Sequence, residues 1–133
     1  MNYTYSFECC FLQNPFTTLL ARYHLPLDAV CRHILDLAEM IRPLMYLAQS
    51  DPRATLERVR SERPPVWARY IIGGAYGQAH GLSGFAGTAE FCVERHALEL
   101  DLILALPFPA AILSDRTAWE ARYEAVTRFL RAD

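Results

Sequence analysis

Tyr76, His80 and Ser83 sit in the segment Gly73–Gly87, which holds all six glycines of this 133-residue chain. Glycine alone reaches positive φ without steric cost and lets a second backbone come close. The segment therefore suits a loop that clasps a ligand, with Tyr76, His80 and Ser83 as its polar contacts. It equally suits close helix packing followed by a surface loop. It is not a dinucleotide fingerprint, because no two glycines are separated by a single residue.

His80 is the one histidine among these glycines; His24, His33 and His96 lie elsewhere. A Cys–His nucleophile would have to pair it across the fold with Cys92 or Cys9, and nothing in the spacing brings either close. Cys31 and His33 fall two apart on a helix and point in nearly opposite directions, so they cannot share an ion. Cys9, Cys10, Cys31 and Cys92 include no CxxC pair, which removes zinc-finger and thioredoxin spacings. They read as small buried hydrophobes in a reducing compartment. No catalytic residue, metal site or cofactor follows from these patterns. The chain contains no lysine; all 13 basic residues are arginine. That excludes a Walker A phosphate loop, Schiff-base chemistry and a Ser–Lys dyad.

Carboxylates concentrate in Glu90, Glu94, Glu99 and Asp101. On two strands their outward faces would form one acidic patch. Such a patch is a solvated sheet face, or it complements a basic protein and steers encounter with it. The formal charge of −2 gives no general affinity for nucleic acid or anionic lipid. Arg53, Arg58, Arg60, Arg63 and Arg69 are offset by Glu57 and Glu62 and read as a solvated face. No basic leader precedes Leu12, and no apolar run reaches transmembrane length, so a cytoplasmic protein is expected.

The elements that must position these groups follow from periodicity. The length and a hydrophobic fraction of 53% suit one globular domain, 1–133. Tyr3, Tyr5, Phe7, Cys9 and Phe11 alternate with polar residues, which predicts a strand over 2–12. Asn14-Pro15 predicts a short helix over 15–23, with a second strand as the alternative. Val30, Ile34, Leu37, Ile41 and Leu44 have helical spacing and predict a long helix over 26–48, kinked or ended at Pro43. Asp51-Pro52 caps a polar helix over 52–61. A helix from Val66 toward Gln78 should give way to loop through Gly87. Alternation of Ala89, Phe91 and Val93, then of Leu98 through Leu106, predicts a hairpin over 88–106, although His96-Ala97 lacks tight-turn chemistry. A C-terminal helix over 115–131 is capped by Ser114 or Asp115, with Trp119, Tyr123, Val126 and Leu130 as its inner stripe.

The expected architecture is α+β: an antiparallel sheet, made of the N-terminal strand and the 88–106 hairpin, against the long and C-terminal helices. The expected function is a small protein-binding module that occludes a partner, as an immunity protein or inhibitor of a bacterial toxin does. Glu90, Glu94, Glu99, Asp101, Tyr76 and His80 would meet that partner, a basic toxin domain among the choices. A secretion chaperone or adaptor that dimerises is the neighbouring alternative. A small ligand-binding protein or enzyme using the glycine segment, with His80, Tyr76 and Glu90, is the other.

Overall fold

A computed structural model describes residues 12–40, 44–62 and 65–132. The expected N-terminal strand over 2–12 falls almost wholly outside them. The described elements run α1 (Gln13–Pro15), a π-helix (Phe16–Arg22), α2 (Leu27–Met40), β1 (Leu44–Ala48), α3 (Pro52–Val59), α4 (Pro65–Ile72), α5 (Ala75–Ala79), α6 (Gly84–Leu104), β2 (Ala110–Ser114) and α7 (Trp119–Leu130).

The expected antiparallel hairpin is wrong: residues 88–104 belong to α6, a single helix of 21 residues. The described sheet has only two strands, and β1 pairs with β2 in parallel, Tyr46 opposite Ile112. Alternation misled because leucine falls at nearly every second position, and such a run fits a helix as well as a strand. The buried positions Thr88, Ala89, Cys92, His96, Glu99, Leu102 and Ile103 recur at three- and four-residue spacing. Three of them, Thr88, His96 and Glu99, are polar, and this concealed the helical stripe. Ala, Leu and Glu dominate the segment and are strong helix formers. The missing turn residues at His96-Ala97 pointed the same way.

The long helix also needs correction. Val30, Ile34 and Ala38 form its buried stripe, but α2 ends at Met40 and the chain is extended again from Leu44. Leu44–Ala48 therefore leaves the expected helix and becomes β1. The C-terminal helix begins at Trp119 rather than 115, because Ser114 is the last residue of β2. Two expectations hold in form. Residues 16–22 are helical, as a π-helix, and Asp51 caps α3 by accepting from the Ala54 amide at 2.9 Å.

One core cluster joins these pieces. Phe16 and Leu20 of the π-helix, Val30 and Ile34 of α2, Ile71 of α4, Tyr76 of α5, and Phe91, Leu102 and Ile103 of α6 are all buried together. α3 and α4 pack on α6; α2, α4 and α5 pack on the π-helix. The helix expected over 66–78 breaks at Gly73-Gly74, and the expected loop closes early, since α6 starts at Gly84. Gly74 is where α5 lies against the π-helix. A Cβ there would stand 2.3 Å from the Ala21 carbonyl oxygen and 2.9 Å from Arg22 Cα. Gly84, at φ +57, makes the left-handed turn into α6. Among the described residues, no helix is long and apolar enough to cross a membrane.

Gly74→Ala should therefore force backbone apart rather than tilt a side chain. We expect a loss of about 1–3 kcal/mol, read as a lower urea midpoint with an unchanged m-value.

Candidate functional site

Two groups of polar side chains emerge, one inside the molecule and one at its surface. The internal group is centred on β1. The Tyr46 hydroxyl donates to Glu99 Oε2 at 2.7 Å and lies 2.8 Å from His96 Nδ1. His96 Nε2 is 2.9 Å from the Gln49 carbonyl oxygen, which can only accept, so Nε2 donates there. Arg95 Nε stands 3.1 Å from Glu99 Oε1 as an ion pair, and Arg95 Nη1 donates to Thr17 Oγ1 at 3.3 Å. Arg95 Nε and Glu99 Oε1 are both buried and lie off the line of a hydrogen bond, so their attraction is one of charge. Glu99 is only 4% exposed. Burial first, then the Glu99 charge and hydrogen bond, push the Tyr46 phenol above its ordinary value of 10.0.

The surface group lies where the glycine segment meets the end of the π-helix. Leu20, His24, Leu25, Pro26, Leu27, Tyr76, His80, Glu94 and Leu98 line a cleft of about 400 Å³. Tyr76, though buried, donates its hydroxyl to Glu94 Oε2 at 2.5 Å. The His80 ring stacks on Tyr76, centroids 3.9 Å apart, and the His24 ring meets both edge-on. His80 Nδ1 is 2.9 Å from the Tyr76 carbonyl oxygen, so it donates there and leaves Nε2 to accept from a ligand. His24 holds φ +50, the one described non-glycine residue with positive φ. Histidine is among the few side chains enriched in that region. The Tyr76 phenol is held above 10.0 by burial, then by its hydrogen bond to Glu94, then by the charges of Glu94 and Glu90.

The expected partner-binding set thus divides. Tyr76, His80 and Glu94 come together in the cleft, and Glu90 lies close enough to act on the Tyr76 hydroxyl. Glu99 does not belong: it is buried against Tyr46 and Arg95, because α6 turns it inward where a strand would have turned it out. Asp101 is exposed on α6 but does not line the cleft. The acidic sheet face is withdrawn with the hairpin that carried it. Cys92 is 3% exposed and sits in the core cluster, whereas His80 is exposed, so they form no accessible dyad. Cys9 lies outside the described residues. Among those residues, no group of three His, Cys, Asp or Glu side chains is placed to hold a metal ion. The reading of residues missed His24 and Tyr46. His24 precedes Leu25-Pro26, which marks a chain break but no ligand. Tyr46 falls within the expected helix over 26–48, and no periodicity aims it at Glu99.

No protein-family model matches the chain, and neither curated proteins nor solved structures match it.

Tyr46→Phe removes the hydroxyl and leaves buried Glu99 Oε2 without a donor. A loss of about 1–3 kcal/mol is expected in urea unfolding, since an unpaired buried acceptor keeps its full desolvation cost. The raised phenols carry a pH signature. Tyr46 and Tyr76 hold their protons more tightly folded than unfolded, so their stabilisation is complete below pH 10 and declines as pH rises past it. Their 295 nm tyrosinate absorbance should appear only together with loss of the far-UV circular dichroism. A Tyr76→Phe variant should lose less thermal stability between neutral and alkaline pH than the parent chain.

Proposed function

We propose that the protein is a small binding module that takes a basic side chain of a protein partner into the His24–Tyr76–His80–Glu94 cleft. The observation that carries this reading is the lining: apolar walls, one carboxylate, two imidazoles and no arginine. Leu20, Leu25, Pro26, Leu27 and Leu98 suit the methylene stem of an arginine or lysine. Glu94 offers a carboxylate to its head, Glu90 adds negative potential, and His80 Nε2 adds a neutral acceptor. Two carboxylates near an apolar cleft favour a cation over an anion and steer encounter with a positively charged protein.

An occluding protein of the cytoplasm, an immunity protein or inhibitor that covers a basic toxin domain, is the role such a surface serves. The alternative enzyme reading has less support. His80 is oriented as a base would be, but Cys92, the described thiol considered as its partner, lies in the core.

The test uses N-acetyl-arginine methylamide as the probe in a ¹H–¹⁵N NMR titration. Its amide shifts should concentrate at His24, Leu25, His80 and Leu98, with affinity on the order of millimolar for one side chain. The neutral citrulline analogue should bind more weakly. Glu94→Gln keeps an acceptor for Tyr76 and should weaken arginine binding severalfold. Shifts elsewhere, or equal binding of the citrulline analogue, would overturn the reading.

A further inference from the structure

Three of the four residues expected to bury α7 face water instead, and Val126 alone of that stripe is partly covered. Trp119 is 69% exposed, Tyr123 65% and Leu130 47%. α7 packs on β2, and Ala125, Val126 and Phe129, on the face beside this stripe, are partly covered. At about 100° per residue, Trp119, Tyr123 and Leu130 fall within about 40° of arc. A helix face with two aromatic rings in this state calls for a partner.

The charges beside the stripe say which partner. Glu120, Glu124, Thr127 and Arg131 follow one edge of it, acidic toward the N-terminus and basic toward the C-terminus. Arg122 lies on the opposite edge, its guanidinium 5.5 Å from the Trp119 ring centroid. When two identical helices pair antiparallel about a two-fold axis, each edge meets its own counterpart in reverse order. Glu120 of one copy then stands opposite Arg131 of the other, and the same pair forms twice. Trp119 meets Leu130, and Tyr123 meets the Val126–Thr127 turn. The Thr127 hydroxyl is engaged by the Tyr123 carbonyl at 2.9 Å, so the middle of the seam needs no outside hydrogen bond. Parallel pairing would instead bring the two opposite edges of the helices together, so Glu120 would not meet Arg131.

We infer that α7 is a self-association surface and that its occupant is the α7 of a second copy of this chain, antiparallel across a two-fold axis. This stands apart from the cleft, whose residues it does not use.

Sedimentation equilibrium of the full chain through the micromolar range tests it. A concentration-dependent dimer is expected. Tyr123→Glu should abolish it while the thermal melt is retained, since Tyr123 is exposed. Glu120→Arg and Arg131→Glu should each weaken it about tenfold, by turning both attractive pairs into repulsive ones. The two together restore opposite charges across the axis and should return the dimer to within about threefold of the parent. A chain monomeric throughout the range overturns the inference, whichever other protein covers the face. So does a dimer indifferent to the charge reversals, or a double variant no stronger than the singles. The charge cycle decides even if Tyr123→Glu disturbs folding.

Discussion

Glu99 is the residue around which the rest is organised. A carboxylate carried into a protein interior costs several kcal/mol unless charge and hydrogen bonds meet it there. Arg95, one turn earlier on α6, supplies the charge, and Tyr46 of β1 supplies the hydrogen bond. Each helper is tied down in turn: Tyr46 by His96, His96 by the Gln49 backbone, Arg95 by Thr17 of the π-helix. Burying one side chain of α6 thereby fixes how β1, the loop after it and the π-helix sit around that helix. The apolar contacts supply the bulk of the driving force, but they are not directional. The polar network selects one arrangement among those the hydrophobic residues would accept.

The π-helix is the second element on which the cleft depends. Its widened turn continues through Tyr23, whose amide reaches the Thr18 carbonyl at 3.2 Å, and ends at the left-handed His24. That geometry turns His24 toward Tyr76 and His80. Gly74 lets α5 approach from the other side until its backbone nearly touches Ala21 and Arg22. Gly74 closes a packing seam, and the residues beyond it carry the side chains of the cleft.

A parallel sheet of two strands is an uncommon thing to leave in water, because parallel sheets are usually covered on both faces. Here Met45 and Leu47 of β1 and Ile112 of β2 remain substantially exposed. α7 covers part of β2 and turns its own aromatic stripe outward. The cleft and the α7 stripe are separate features that share no residue.

Much of the local structure was legible in the residues. Asp51-Pro52 caps α3 as its chemistry requires, Val30 and Ile34 mark the inner face of α2, and Tyr76 and His80 stand out among the glycines by residue type alone. These readings rest on neighbours within one or two turns, where residue type alone decides the backbone. The larger error came at 88–106, where dense leucine satisfies both periods and three polar residues hide on the buried face. A sequence pattern treats a polar residue as outward-facing unless a partner is known, and the partner of Glu99, Tyr46, is 53 positions away. The chain by itself determined which groups were available: no lysine, clustered glycines, acidic residues along one stretch. Only the tertiary structure decided which carboxylate would be buried and which would face a cleft. The reason is physical. Desolvation and its compensation depend on contacts between residues far apart in the chain, and local periodicity does not contain them.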